Sequence, residues 1–329
     1  MRVVVMEDYQ RAVERLEAFA LLEGHDVVVQ SSRPETAAER AAQIGDAEAI
    51  VLIRERTPID AELLALLPRL KLICQTGRGM PHVDLAECTR RGIVVCTGGG
   101  SARAPAELTL ALILASARCI VADAVALRAG SWQTTVGREL HGRTLGIIGY
   151  GNIGALVAGY ANALGMNVLA WGRAASLERA SADGYEPVPD LDELCERSDV
   201  VSVHLKLTPE TRGLVTARHL SLMKPDALFV NTARAGLVEQ GALSAALASG
   251  RPGSAAVDVF DEEPAGADDP LVSSDAVLAT PHLGYVTWDT YETYFSQAFA
   301  QVAAFAAGAP IDVANPEALA VGSGGAEPA

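Results

Sequence analysis

Three polar side chains of complementary chemistry each follow an apolar stretch of the chain. Arg234 lies in VNTARAGLV, Glu263 in DVFDEEP and His282 in TPHLGY. Arginine offers a planar fork that matches a carboxylate, and histidine exchanges a proton near neutral pH. A carboxylate beside an imidazole fixes the ring orientation and stabilises its charged form. Together, these residue types are suited to bind an anion and to transfer a proton to a bound molecule.

The elements that must position these residues are parallel strands. In the second part of the chain we predict six strands, at residues 144–148, 167–171, 199–204, 227–231, 254–259 and 276–280. They are apolar nearly throughout, which is typical of parallel strands with helices on both faces. Because the carboxyl ends of such strands meet at one crevice, we expect Arg234, Glu263 and His282 to converge there.

The run LGIIGYGNIG contains a dinucleotide-binding signature in the required context. Its glycines, Gly149, Gly151 and Gly154, follow a predicted strand and open a predicted helix at 153–164. The first glycine permits a tight turn, the second lets a pyrophosphate approach the backbone, and the third lets helix and strand pack closely. The amino end of the helix then faces the anion.

The residues that select the nucleotide depart from the usual pattern. After the second of these strands, where an NAD-binding protein usually carries an acid, the chain reads Trp171, Gly172 and Arg173. An acid would accept hydrogen bonds from the ribose of NAD and repel the 2′-phosphate of NADP. Gly172 leaves space instead, while Arg173 and Lys206 (in HLKLT) add positive charge. We therefore expect NADP to be preferred over NAD.

The first hundred residues predict a second sheet. Short β-branched runs at 3–6, 27–30, 49–53, 70–75 and 94–96 alternate with helical stretches such as 11–22 and 60–66. This alternation predicts parallel strands with crossover helices. The run TGGGS at 97–101 and an apolar helix at 105–120 follow, and near the end we expect a helix at 289–307 and a disordered tail at 321–329. The predicted fold class is α/β, with two doubly wound parallel-sheet domains.

The composition and net charge of the chain argue against several classes of function. The 329 residues carry a formal net charge of −15, which argues against nucleic-acid binding. No run of eighteen apolar residues and no secretory signal is present, so we expect no membrane association. Five cysteines without a C-x-x-C pair favour reduced thiols in the cytoplasm over a disulfide framework or a metal site. The negative net charge of the protein produces an electrostatic field that repels an anionic ligand. Arginines near the binding site must therefore make the local potential positive.

The motifs resemble those of the D-2-hydroxyacid dehydrogenase family over nearly the whole chain. They are GRGMPHVDLAECTRRGI, AELTLALILASAR, LHGRTLGIIGYGNIG, DVVSVHLKLTPETRGLV, MKPDALFVNTARAGLV, DVFDEEP and TPHLGY. The resemblance implies a hydride transfer between a nicotinamide and a small anionic 2-keto or D-2-hydroxy acid. Arg234 would bind and polarise the substrate, His282 would be the acid/base, and Glu263 would pair with the histidine.

The resemblance also implies a domain order and a wider site. A Rossmann cofactor domain (101–283) would be inserted into a discontinuous, flavodoxin-like substrate domain (1–100 and 284–329), with Asp258 contacting the nicotinamide carboxamide. The expected substrate-binding residues are Arg54, Gly77, Arg78 and Gly79. The expected cofactor-binding residues are Gly149, Gly151, Asn152, Ile153, Gly154, Trp171, Gly172, Arg173, His204, Lys206, Thr232, Ala233, Asp258 and Gly284.

Two further expectations concern partners and alternatives. The family resemblance implies a homodimer, with residues 130–143 as an arm and Trp132 as an interface anchor. Two alternatives retain the same three polar residues: phosphite dehydrogenase, and a dinucleotide-sensing corepressor that binds without useful turnover. A formate dehydrogenase would carry glutamine in place of Glu263. Which 2-keto acid is reduced stays open.

Overall fold

The computed structural model describes residues 1–322, so most of the predicted disordered tail, 323–329, lies outside the described residues. The chain divides into two compact units. The first is Met1–Ser101 together with the described part of Thr287–Ala329, and the second is Ala102–Val286. Each unit is built on its own parallel sheet, as the α/β prediction requires.

The first unit contains a five-stranded sheet with the strand order β2-β1-β3-β4-β5, the order of flavodoxin-like domains. Its strands are β1 (Arg2–Val5), β2 (Asp26–Val29), β3 (Ala49–Leu52), β4 (Leu72–Gln75) and β5 (Val94–Thr97). Its crossover helices are α1 (Ala37–Ile44), α2 (Ala61–Ala65) and α3 (Leu85–Arg90). Each of these helices has an N-cap side chain that accepts a hydrogen bond from a backbone N–H group of the first turn. The N-cap residues are Thr36, Asp60 and Asp84.

The helix predicted at 11–22 is wrong in type. The segment forms two short 3₁₀ helices, Val13–Arg15 and Glu17–Leu22. Leu16 between them has extended backbone (φ −77°, ψ 145°), so no α-helical hydrogen-bond ladder can pass through it.

The second unit begins with two helices, α4 (Arg103–Ala117) and α5 (Ile120–Arg128). The prediction of one helix at 105–120 missed the break between them, where Cys119 adopts the left-handed conformation (φ 50°, ψ 34°). The two helices are bent by 62°. Within residues 1–322, no single helix has the length and apolarity to span a membrane, and this bent pair meets that test only when joined.

The rest of the second unit forms a seven-stranded parallel sheet in the order β12-β11-β10-β9-β6-β7-β8, a Rossmann order with one added strand. The strands are β6 (Thr144–Ile148), β7 (Asn167–Trp171), β8 (Glu186–Pro187), β9 (Val200–Val203), β10 (Leu228–Asn231), β11 (Ser254–Val257) and β12 (Val277–Ala279). The helices are α6 (Asn152–Ala163), α7 (Ala174–Ala182), α8 (Leu191–Arg197), α9 (Ala217–Leu222) and α10 (Ala242–Ala248).

Successive residues of these strands enter cores on opposite faces of the sheet. Ile147 packs in one buried cluster and Ile148 in the other, and Val230 and Phe229 are divided in the same way. This explains why the strands are apolar nearly throughout, since both faces are covered.

The chain then completes the first unit with α11 (Trp288–Ala306) and α12 (Glu317–Gly322). Between these helices the chain runs antiparallel to β5 through a bridge of Val313 with Cys96. The buried Asn315 accepts the N–H of Val95 (2.8 Å) and donates to the carbonyl of Ile93 (2.9 Å). This segment covers the edge of the sheet that β5 would otherwise expose.

Candidate active site

His282 and Glu263 form a close pair beyond the carboxyl ends of β12 and β11. His282 Nδ1 lies 2.6 Å from Glu263 Oε2, and the two side chains are 24% and 35% exposed. When Nδ1 donates this hydrogen bond, Nε2 is left to exchange a proton with a ligand. The pair therefore has the arrangement of an oriented acid/base.

The carboxylate of Glu263 is held on both of its oxygens. Oε1 accepts the N–H of Phe260 at 3.0 Å, while Oε2 faces the histidine. Burial raises the pKa of Glu263, but the hydrogen bond and charge of His282, the Phe260 N–H and the charge of Arg234 outweigh it and lower the pKa overall. Glu263 is therefore anionic at neutral pH, and its negative charge lies beside the ring of His282.

A buried carboxylate shapes the loop that carries the histidine. Asp258, 0% exposed, accepts hydrogen bonds from Thr280 Oγ1 (2.7 Å), the Leu283 N–H (2.7 Å) and the Gly284 N–H (2.8 Å). Burial raises the pKa of Asp258 above its usual value, against these hydrogen bonds and the charge of His282. His282 itself has a left-handed backbone (φ 53°), a strained conformation that persists only where such contacts fix it.

Arg234 follows β10, the neighbour of β11 in the sheet. The amide of Asn231 brackets its turn, donating to the Arg234 carbonyl (2.9 Å) and accepting the Ala233 N–H (3.0 Å). The half-buried guanidinium donates to the Ala233 carbonyl (2.7 Å) and helps to lower the pKa of Glu263. The three polar residues are thus delivered by three adjacent strands to one edge of the sheet.

The glycine loop between β6 and α6 has the shape that a dinucleotide requires. Gly149 has φ +99°, and a Cβ atom on Gly154 would lie 2.3 Å from the Gly149 carbonyl oxygen. A Cβ on Gly151 would meet nothing within 4 Å, so there is space beside this residue for a ligand to approach the backbone. The residues present therefore fit a bound pyrophosphate at the start of α6.

The loop predicted to bind the substrate lies within the first unit, after β4. Gly77 has φ +83°, and a Cβ on it would lie 1.9 Å from Arg54 Nη1, so only glycine leaves room for this arginine. Arg78 is exposed, and Gly79 lies against the Glu55 carboxylate. Within residues 1–322, the N–H groups of Gly77, Arg78 and Gly79 have no acceptor. Consecutive unpaired N–H groups of this kind form a concavity suited to an anion.

Comparison with known proteins decides the family. The family model of the D-isomer specific 2-hydroxyacid dehydrogenase NAD binding domain matches residues 110–284. The chain belongs to the D-isomer specific 2-hydroxyacid dehydrogenase family. This agrees with the resemblance drawn from the motifs and with the Rossmann strand order of the second unit.

Individual dehydrogenases of the family match over long stretches. An oxidoreductase structure from Ralstonia solanacearum is 48% identical, covers 97% of this chain and 98% of its own, and superposes with a TM-score of 0.95. Glyoxylate reductase of Aeropyrum pernix is 39% identical over 80% of this chain and 82% of its own length. D-3-phosphoglycerate dehydrogenase of Methanocaldococcus jannaschii is 39% identical over 77% of this chain, which spans about half (48%) of that longer protein.

In this chain the end of β7 carries no acidic residue. A Cβ on Gly172 would make ordinary contacts, 3.7 Å from Ser176 Cβ, so an acid could be accommodated there. Arg173 is exposed and lies at the start of α7. Sequence reasoning missed Glu210 as a neighbour. A hydrogen bond from Thr208 is the largest influence that lowers the pKa of Glu210, and the charge of Arg173 contributes.

The remaining predicted cofactor residues lie along the same edge. His204 Nε2 is 2.9 Å from Ser202 Oγ, and burial lowers the pKa of His204 to about 4, so this histidine is neutral at physiological pH. Thr232 Oγ1 is 2.7 Å from Thr109 Oγ1 in the core. Lys206 is exposed. Within residues 1–322, no group of three or more metal-ligating side chains could hold a metal ion.

Several supporting contacts near the candidate site could not be predicted from the sequence. Arg179 on α7 donates to the carbonyl of Tyr150 in the glycine loop (2.7 Å). The ring of Tyr285 packs edge-on against His282, with centroids 5.4 Å apart. Both contacts depend on tertiary folding. Arg179 lies outside the motifs quoted above, and Tyr285 ends the motif TPHLGY but has no predicted role there.

Proposed function

We propose that this chain catalyses the NAD(P)H-dependent reduction of a small 2-keto acid to the D-2-hydroxy acid. The observation that carries the proposal is the His282–Glu263 pair, 2.6 Å apart, at the sheet edge that also presents Arg234. The glycine loop between β6 and α6 supports a dinucleotide at the same edge. The family membership supports the same class of reaction.

The chain's own groups have separable roles in this reaction. A nicotinamide held at the glycine loop would supply the hydride for the carbonyl carbon of the substrate. His282 Nε2 gives a proton to the carbonyl oxygen, and Glu263 stabilises the imidazolium before the transfer. Arg234 binds the substrate carboxylate and polarises the ketone through its fixed charge. In the oxidative direction His282 accepts the proton instead.

We place a substrate carboxylate on the loop at 77–79, with Arg54 beside it. The support is the set of three N–H groups without acceptors and the guanidinium that lies over Gly77. These groups provide a local positive field in a chain whose net charge is −15. Substrates with a carboxylate next to the ketone match this site better than uncharged ketones.

We propose that NADP is preferred over NAD. The open space at Gly172 and the exposed cations Arg173 and Lys206 support this preference. Glu210 opposes it, since its carboxylate interacts with Arg173. We also propose a homodimer, because the arm at 130–143 carries a Trp132 that is 76% exposed.

A panel of substrates tests the proposed function directly. Glyoxylate, hydroxypyruvate, pyruvate and bulkier 2-keto acids are each tested with NADH and NADPH, and phosphite is tested with NAD⁺ and NADP⁺, by absorbance at the nicotinamide band. We expect reduction of at least one keto acid at a rate that requires His282. Phosphite oxidation without keto-acid reduction would identify the alternative dehydrogenase. Nucleotide binding with no turnover of any compound would instead favour the corepressor class.

A further inference from the structure

We propose that Gln75 is a positioning residue that builds the anion-binding loop at 77–79. The inference rests on the proposed function, in which this loop holds the substrate carboxylate. Gln75 is the last residue of β4 and is 0% exposed, so it would not touch the substrate itself. It acts through the backbone around it.

The side-chain amide of Gln75 gathers three backbone carbonyls. Nε2 lies 2.9 Å from the carbonyl oxygen of Gly79, 3.0 Å from that of Arg54 and 3.2 Å from that of Thr76. These carbonyls belong to two different strand ends, those of β3 and β4. A single buried donor therefore ties both ends of the loop to the neighbouring strand.

The orientation of these carbonyls dictates the orientation of the loop N–H groups. In a trans peptide the C=O and the following N–H point in opposite directions. Because the Thr76 carbonyl points to Gln75, the N–H of Gly77 points away from it. The Gly77 carbonyl accepts the N–H of Gly98 (3.3 Å), which turns the Arg78 N–H outward in the same way. This accounts for two of the three N–H groups that have no acceptor within the described residues, those of Gly77 and Arg78.

The same amide also positions Arg54. The Arg54 carbonyl binds Gln75, and the Arg54 N–H donates to Thr76 Oγ1 (2.8 Å). These contacts hold Arg54 in a left-handed conformation (φ 56°), from which its guanidinium reaches over Gly77. Removing the donor should therefore displace the loop N–H groups and the guanidinium together.

The first test replaces the amide by an apolar side chain of the same length. In Gln75→Met we expect KM for the reduced keto acid to rise by roughly 10- to 100-fold, because several hydrogen bonds to the carboxylate are misplaced. KM for the nicotinamide cofactor should stay within about twofold, since the glycine loop is in the other unit. The dissociation constant of oxamate, a non-reducible analogue, is measured in parallel and should rise by the same factor.

A matched control separates positioning from stability. Asn315 is another buried amide of the first unit, bound to backbone groups of β5. Asn315→Leu should lower the thermal midpoint of unfolding but leave the KM for the keto acid unchanged. If Gln75→Met and Asn315→Leu raise this KM equally, the effect is one of stability and the proposal is wrong.

A second variant gives a readout that a purely structural role would not move. Gln75→Glu places a carboxyl where three carbonyls need a donor. Burial among acceptors favours its protonated form, which regains one O–H donor as the pH falls. We expect KM for the keto acid in this variant, divided by the wild-type value, to fall between about pH 8 and pH 5.5, and to stay constant in Gln75→Met. The charged neighbours Arg54 and Glu55 are common to both variants, and burial lowers the pKa of His82 to about 4, below this range.

The outcomes distinguish this inference from the function on which it rests. If the wild type reduces no 2-keto acid and does not bind oxamate, the proposed function fails first. If the wild type is active and both Gln75 variants keep the wild-type KM for the keto acid, Gln75 does not position the loop.

Discussion

The hydrogen bonds of the Glu263 carboxylate determine how the neighbouring imidazole is oriented. Its two oxygens have separate partners, the Phe260 N–H and His282. The carboxylate therefore cannot rotate without losing a hydrogen bond, and the imidazole keeps one orientation. The strained backbone of His282, fixed by Asp258, serves the same end by holding the ring where β11 and β12 finish.

The first prediction concerns pH. The proposed reduction requires a protonated His282, and it also requires an ionised Glu263. Since the pKa of Glu263 is lowered, this second requirement fails only below the usual range of a glutamate. In Glu263→Gln the imidazolium loses the negative charge that lies beside it. We expect the upper limit of the kcat profile for reduction to move down by about one pH unit or more.

Glu262 provides the control, because Glu262→Gln makes the same change of charge at the adjacent exposed position. Its pH profile should match the wild type. The prediction is contradicted if both variants give the same profile.

The second prediction concerns the shape of Arg234, the cation that we propose to bind the substrate. Arg234→Lys keeps the positive charge but loses the planar fork that can bind a carboxylate at two points. We expect kcat/KM for the keto acid to fall by roughly 100-fold or more, with kcat and KM both affected. Arg251→Lys changes an exposed arginine just before β11 and should be neutral. Near-wild-type kinetics for Arg234→Lys would place the guanidinium outside the reaction.

At the scale of secondary-structure elements, the sequence predicts best the strands that form because their side chains are buried. The bounds of β6 and β7 agree with prediction at every residue, and the other predicted strands agree within two residues, because both faces of each strand are apolar. The exposed two-residue strand β8 (Glu186–Pro187) carries no such pattern and was missed. The helix break at Cys119 was also missed, since no glycine or proline marks it.

The residues of the candidate site can likewise be divided into those that the sequence predicts and those that it does not. Arg234, Glu263 and His282 could be brought together from sequence because each follows a strand of one parallel sheet. The hydrogen bonds of the Asp258 carboxylate to the histidine loop, and those of the Gln75 amide to the loop at 77–79, could not be predicted, although Asp258 itself was expected to contact the cofactor. Both residues have buried polar side chains whose partners are backbone groups, and nothing in the local sequence identifies those partners.

The third prediction lies at the junction of β7 and α7. Arg173 and Lys206 are exposed, so solvent and salt reduce their attraction for a 2′-phosphate to about 1–2 kcal/mol. We expect kcat/KM to be about 5- to 30-fold higher with NADPH than with NADH. Gly172→Asp should reverse the order, because the new carboxylate repels the phosphate and can bind the ribose.

Two matched variants complete this experiment. Arg173→Ala should reduce the difference in kcat/KM between NADPH and NADH. Arg251→Ala should leave the ratio of these two kcat/KM values unchanged. A wild type that prefers NADH, with no response to Gly172→Asp, would show that this junction does not select the nucleotide.

At the scale of the whole molecule, the second unit has an exposed apolar surface that no segment of residues 1–322 buries. Helix α5 has no buried residue within the described chain, and Ile120, Val125 and Leu127 are each more than half exposed. The arm that follows is nonetheless ordered. Asp123 of α5 binds the N–H of Thr134 (3.0 Å) and the hydroxyl of Thr135 (2.6 Å). A fixed arm with an exposed tryptophan is typical of an interface.

The last prediction is that α5 and this arm form the interface of a homodimer. Trp132 is 76% exposed in the single chain, and large aromatic side chains often dominate the energy of such interfaces. Trp132→Ala should therefore raise the dimer dissociation constant by roughly 10- to 100-fold in sedimentation velocity experiments. Trp288, 52% exposed in the first unit, provides the matched control, and Trp288→Ala should sediment as the wild type does. Because Trp132 lies on a loop held by Asp123, its removal should leave the thermal midpoint of the diluted, monomeric protein unchanged. A wild type that is monomeric at micromolar concentration, or an unaltered dimer after Trp132→Ala, would contradict the assignment of this surface.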